Sequence, residues 1–249
     1  MQCHATSLRN ETWSGDRVFW EDAVAKAPQQ GLPHLHLGLT YDRAEAKDEA
    51  EQKKLNEMAK KEYLTALDEK NVVYDIEGRS TAWNNIANVY MAEGDDAKAL
   101  EAFLKAIEMR PDYPTPHYGL GLLHYHKGVA AQRAGDGPGA VRNMQVAREW
   151  LEKAIRLNER YVKAIFLNGV VLMSLRDPQA SRSLSEVIRL IPGTSEAARA
   201  QELLDLMRAH PEDYSRGATV ASVPGASEGN PRVVGGAAPK QPPGGGPRR

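Results

Sequence analysis

The chain has 249 residues, 26% of them charged and 6% aromatic, with 32 basic residues against 33 acidic ones and a formal net charge of −1. That balance fits one or two domains with an ordinary core, and the cations are interleaved with acids instead of forming a stripe, which argues against a phosphate-neutralising nucleic-acid surface. Cys3 is the only cysteine, so an internal disulfide and a multi-thiolate metal site are excluded.

Residues 1–15 form an N-terminal segment that begins MQCHATSLRN and lacks the apolar core of a signal peptide. The longest nearly apolar run, Ala164 to Leu175, is broken by Asn168 and Gly169 and is too short to span a bilayer. The expectation is a soluble chain with no direct membrane insertion. A leading half-repeat starts at Asp16 and ends at Pro28, and the first full helix pair follows, with His34, Leu37, Gly38 and Tyr41 on one stripe and Ala59, Tyr63 and Ala66 on the next. No Gly or Pro interrupts the stretch between Tyr41 and Tyr63, which predicts that both helices of this pair lengthen, and NVVYDIEG reads as a long exit loop.

The clearest unit follows as WNNIANVYMAEGDDAKALEAFLKAIEMRP, Trp83 to Pro111. Trp83, Ile86, Ala87 and Tyr90 fall at i, i+3, i+4 and i+7 and form a core-facing stripe. Gly94 suits the left-handed position after a helix, Asp95 or Asp96 can cap the next one, and Pro111 stops it. Ala99, Phe103 and Ala106 form the second stripe. Two short helices cannot bury both stripes, so neighbours must supply the missing surface.

The same order returns 34 residues later as His117, Leu120, Gly121 and Tyr125, with Ala147, Leu151 and Ala154 as the second helix. Here HKGVAAQRAGDGPGAVRNM predicts a first helix running to about Ala134 and a turn at GDGPG. A further copy carries Ile165, Asn168, Gly169 and Leu172, then Ala180, Leu184 and Val187 before Pro192. From Gly193, GTSEAARAQELLDLMRAHP reads as a capping helix with Thr194 or Ser195 at its N-cap and Pro211 after its end. The expected domain layout is therefore segment 1–15, a helical array at 16–210, and a Gly- and Pro-rich tail at 211–249, expected to be disordered.

Little here suggests chemistry. His117 and His124 stand roughly 10 Å apart by helical rise, and His126 points to the opposite side from His124, so no metal is shared on one helix. GDGPGA lacks the following lysine and hydroxyl residue of a phosphate loop and follows no strand. No GxSxG, HExxH or paired carboxylate in an apolar setting occurs, and Cys3 with His4 offers no preorganised pair. The expectation is a non-enzymatic protein with no catalytic residues, metal or cofactor.

Ser80 to Tyr113 resembles a tetratricopeptide repeat, with Trp83, Ile86, Ala87, Tyr90, Ala99, Phe103, Ala106 and Pro111 at the family's signature positions. The other copies match more loosely, with His34, His117 and Ile165 where tryptophan is usual, Asn168 where leucine is usual and Leu172 where tyrosine is usual. The resemblance covers about Asp16 to His210. It implies an all-α, right-handed superhelical solenoid of antiparallel helix pairs, about four repeats with the leading half-repeat and a cap, whose first helices line a concave groove for peptides or partner proteins. Two copies exceed the period, and their insertions are expected to project from one edge, either as a second contact surface or as tolerated extensions.

Carrying the family's groove positions across gives Leu32, Leu35 and Leu39, then Asn84, Asn88 and Met91, then Tyr118, Leu122 and Tyr125, then Phe166, Val170 and Met173. These residues imply an apolar and aromatic surface with an amide centre, suited to a protein or peptide ligand. The lysines with which some members clamp a terminal carboxylate are absent at the first-repeat positions, which hold Leu35 and Leu39, so recognition of chaperone tails is disfavoured.

A second likeness covers Leu8 to Gly38. Arg9, Asn10, Trp13, Trp20, Ala23, Pro28 and the LHLG turn are similar to the junction after the last membrane helix in large bacterial proteins that join an O-mannosyltransferase-like multipass region to C-terminal tetratricopeptide repeats. It implies the soluble accessory repeat region of such a membrane-bound glycosyltransferase-like protein, periplasmic or membrane-associated. The alternative is a free cytoplasmic adaptor starting at Met1.

Overall fold

The structure is a computed structural model that describes residues 16–68 and 76–214. The N-terminal segment with Cys3, residues 71–75 of the expected exit loop and the tail after Tyr214 lie outside the described residues. Helix α1 covers 16–26. It is followed by α2 (Gly31–Arg43), α3 (Glu49–Leu67), α4 (Ile76–Ala92), α5 (Asp96–Met109), α6 (Pro114–Arg133), α7 (Gly137–Leu157), α8 (Val162–Ser174), α9 (Ala180–Leu190) and α10 (Ser195–Ala209).

Each pair is a helical hairpin whose turn is written in the sequence. After α4 the backbone enters the left-handed region at Gly94 (φ 78°), where a side chain would be strained. Asp95 then accepts from the Lys98 amide at 3.1 Å, and Asp136 does the same for Gly139 at 2.8 Å at the start of α7. Thr194 caps α10 through the Ala197 amide at 3.2 Å. Each such cap contributes about 1 kcal/mol.

Within the pairs, α2 packs on α3, α4 on α5, α6 on α7 and α8 on α9, and α10 closes the end against α9. The helices approach closely because the inner helix offers a small residue where the outer one offers a large one. A Cβ on Gly38 would lie 2.6 Å from the Tyr63 ring, so this contact exists only with glycine there. Three apolar clusters run continuously along the array, one through α2–α6 around Tyr63, Ile86 and Phe103, one through α6–α8 around Met144 and Leu151, and one through α8–α10 around Leu172, Met173 and Leu184. No pair could bury its stripes alone, as the two stripes of the Trp83–Pro111 unit require.

The direction of curvature follows from which helices meet across repeats. Helix α2 touches α4, α4 touches α6 and α6 touches α8, while the outer helices α3, α5, α7 and α9 come less close to one another. The stack therefore bends toward α2, α4, α6 and α8, which form its inner layer.

Several boundaries differ from expectation. Helix α2 stops at Arg43, and only α3 is lengthened, because Asp48 accepts from the Glu51 amide at 2.8 Å and starts a new helix there. The last three residues of NVVYDIEG are helical, since Ile76, Glu77 and Gly78 open α4. Pro211–Tyr214, placed in the tail by the sequence, forms a short 3-10 turn held by Asp213 on Arg176 at 3.1 Å and by Tyr214 against the last cluster. The GDGPG turn falls where expected, with α6 ending at Arg133 and α7 opening at Gly137.

Candidate functional site

The inner layer presents the predicted groove residues in two groups. Leu39, Asn88, Met91, Tyr125 and Phe166 are half-exposed, one or two from each of α2, α4, α6 and α8. Leu35, Asn84, Tyr118, Leu122 and Val170 are buried, Asn84 with only 1% of its surface open. Met173 is fully enclosed beside Ala200 and Leu204 of the capping helix, whereas Leu32 is exposed near the start of α2. The buried group forms the floor and the half-exposed group the surface. The Tyr118 ring lies tilted at 53° against that of Tyr161, with centroids 5.4 Å apart, a neighbour with no place in the groove positions carried over from the repeat pattern.

Beneath the first two repeats the floor is polar. The Tyr63 hydroxyl donates to Asp42 Oδ2 at 2.5 Å, and the Asn84 amide donates to Asn85 Oδ1 at 3.1 Å. Burial pushes the Asp42 carboxyl up to about 6, against the opposing effects of the Tyr63 bond and the neighbouring Arg43. Burial also pushes the Tyr63 hydroxyl well up, reinforced by the Asp42 charge, while the adjacent Asn85 amide pulls the other way. Asn84 Oδ1 has no hydrogen-bond partner, and Asn168 Oδ1 in α8 is in the same state. Unmatched buried acceptors cost about 1–3 kcal/mol each and mark the inner helices as polar where packing alone would favour leucine. Sequence reasoning found Asn84 but missed its chain neighbour Asn85, and Asp42, which α2 brings to Tyr63 of α3.

Four of the histidines make structural contacts. His34 Nδ1 meets Glu62 Oε2 at 2.6 Å while its Nε2 meets the Pro28 carbonyl at 3.1 Å, tying the turn after α1 to α2 and α3. His36 is stacked under Trp20 at 4.3 Å, and burial lowers its pKa, with Arg43 adding to the effect. His117 Nδ1 donates to the Tyr113 carbonyl at 3.0 Å, and His124 Nδ1 lies 3.3 Å from Asn143 Oδ1. His210, Glu212 and Asp213 bring ligand atoms within 4.8 Å of one another at the surface, but Asp213 is already engaged by Arg176. No helix among the described residues is long and apolar enough to cross a membrane.

Comparison with known proteins agrees with this geometry. The family described as TPR repeat matches residues 87–128. The chain is 31% identical over 108 residues to the photosystem I assembly protein Ycf3 of Synechococcus elongatus, covering 41% of this chain and 62% of that protein. It is 32% identical over 80 residues to Ycf3 of Synechococcus sp. strain CC9605, covering 32% and 46% of the two chains. The chain thus spans roughly half of the length of these curated relatives. Among solved structures, an IFIT1 monomeric mutant with Gppp-AAAA superposes with a TM-score of 0.51 at 12% identity, covering 80% of this chain and 51% of that one, which is a likeness of fold. The array is an all-α solenoid of antiparallel helix pairs with a capping helix, and the repeat match supports a tetratricopeptide-repeat identity.

Proposed function

We propose that the chain is a non-enzymatic scaffold that holds a peptide or a segment of a partner protein along its inner groove. The observation that carries this reading is the row of half-exposed Leu39, Asn88, Met91, Tyr125 and Phe166 on consecutive inner helices, above a floor that is already packed. Asn88 can donate to and accept from the backbone of a ligand, and the apolar neighbours offer area that water gains by leaving. The curated relatives are by name assembly proteins, a use that fits a scaffold of this kind. A variant with Asn88→Leu and Met91→Gln keeps size and charge while taking the amide from position 88 and the apolar contact from position 91. Pull-downs with it should lose the partners that the wild-type chain retains, and recovery of the same partners at the same affinity overturns the assignment.

A second reading, the accessory region of a membrane-bound glycosyltransferase-like system, rests on the Leu8–Gly38 junction alone. An in-frame multipass coding region upstream in the genome supports it, and the absence of one sinks it.

A further inference from the structure

Charge is divided unevenly along the chain. Residues 16–112, which span the first two full pairs, carry 20 acidic residues against 13 basic ones, while residues 113–214 carry 11 against 13. Residues 215–249, outside the described residues, set Glu228 against Arg216, Arg232, Lys240, Arg248 and Arg249. A basic segment is thus joined to the end of the array that lies farther from the acidic repeats.

The fold starts this segment at one edge of the groove. Inner helices α2, α4, α6 and α8 alternate with outer helices running the other way, so their C-terminal ends share one edge of the inner layer. Asp213 meets Arg176, just beyond the end of α8, at 3.1 Å, and Tyr214 packs on the last cluster, so residue 215 leaves from that edge. Carboxylates gather along the same edge two and three inner helices away. Exposed Glu45 and Asp48 follow α2, and Glu93, Asp95 and Asp96 follow α4. Lys60 and Lys98 meet Glu93 and Asp95 there, at carboxylates that stay partly open to solvent. On the groove side of these acids stand half-exposed Leu39 and Met91. Lys240 lies 26 positions beyond Tyr214, and a glycine-rich chain of that length has an end-to-end distance of about 28 Å. Three helix spacings, from α8 to α2, come to about 30 Å. Arg232, Val233 and Val234 put a cation beside two adjacent apolar side chains in the part of the segment that reaches there. The tether holds it at an effective concentration on the order of millimolar.

We propose that residues 231–240, PRVVGGAAPK, fold back along the inner groove, with Val233 and Val234 on Leu39 and Met91 and with Arg232 and Lys240 at the carboxylates that follow α2 and α4. A partner must then displace them. This rests on the groove reading and names the groove's resident occupant. The test places a nitroxide at Gln241→Cys in full chain carrying Cys3→Ser and follows the broadening of backbone amide signals. Amides around Leu39 and Met91 should broaden most and equally on dilution, and the effect should fade with rising salt and in Arg232→Glu/Lys240→Glu. Both charge-reversed positions lie outside the described array, so that variant should melt with the wild type. Partners recovered in pull-downs should bind it about tenfold more tightly. Broadening that is the same in the charge-reversed chain, or centred on α8 to α10, overturns the inference. Broadening lost on dilution assigns the contact to a second copy and overturns it as well, and equal partner affinity for the two chains overturns the displacement. The groove reading is scored separately by Asn88→Leu/Met91→Gln. Partners lost with that variant while broadening is absent leave the groove standing without its tail, and broadening with partners indifferent to the variant leaves the tail docked and removes partner capture.

Discussion

Tyr63 and Asp42 face each other across the first hairpin, the phenol of the outer helix donating at 2.5 Å to the only carboxylate of the inner one. The bond holds an acid in a place where burial opposes its charge, and stability should depend on pH through that acid. With the folded carboxyl pushed up to about 6 and the unfolded one near 3.9, the folded chain keeps a proton that the unfolded chain releases between those values. Stability from this group is therefore greatest below about pH 4 and falls as pH rises to about 6, by about 3 kcal/mol. Asp42→Asn removes the ionisation and keeps an oxygen for Tyr63. Chemical denaturation should find the variant more stable than wild type by about 1–3 kcal/mol at pH 7.5 and no more stable at pH 4. A variant less stable at pH 7.5 refutes the assignment.

Gly38→Ala tests the same hairpin by volume. The added methyl meets the enclosed Tyr63 ring at 2.6 Å, so the helices must part or the ring must turn. A loss of about 1–3 kcal/mol and a lower melting temperature are expected. Gly94→Ala should cost about 1–2 kcal/mol for a different reason, since its space is open and only its left-handed backbone objects. Adding Tyr63→Leu should recover part of the loss in Gly38→Ala and none in Gly94→Ala.

Glu62→Gln probes how the N-terminal half-repeat is attached. The His34 ring bridges Glu62 and the Pro28 carbonyl, so a neutral amide in place of the carboxylate weakens the polar link between the α1 turn and α3. A loss of about 1–3 kcal/mol is expected. Hydrogen exchange should rise first in α1 and α2, and a uniform rise along the array would place the effect elsewhere.

Much of the array was legible in sequence because its packing is local and periodic. The spacing of Trp83, Ile86, Ala87 and Tyr90 specifies a buried stripe whatever lies beyond it, and glycine or aspartate at Gly94, Asp95 and Asp136 specifies where the chain turns. Burial within the groove was not legible. Asn84 and Asn88 are one helical turn apart and alike in chemistry, yet one is enclosed and the other half-exposed, because the approach of neighbouring inner helices decides which side chain is covered. The end of α2 at Arg43 escaped for a related reason: no Gly or Pro marks it, and the break comes from Asp48 capping a fresh helix.

The lengthened α6–α7 hairpin, 20 and 21 residues against 13 and 11 in the pair that follows, gives the array a mechanical centre. In a structure held by nearest-neighbour contacts, the segment with the most buried interface opens last, and the pairs on either side fray toward the free ends. Helix α10 lies at one of those ends, whereas Arg133 closes the stiff hairpin. A ligand lying along the inner helices from α6 to α8 would thus fasten the looser end of the spring to its rigid middle, and binding would register as slowed exchange in α8 and α9.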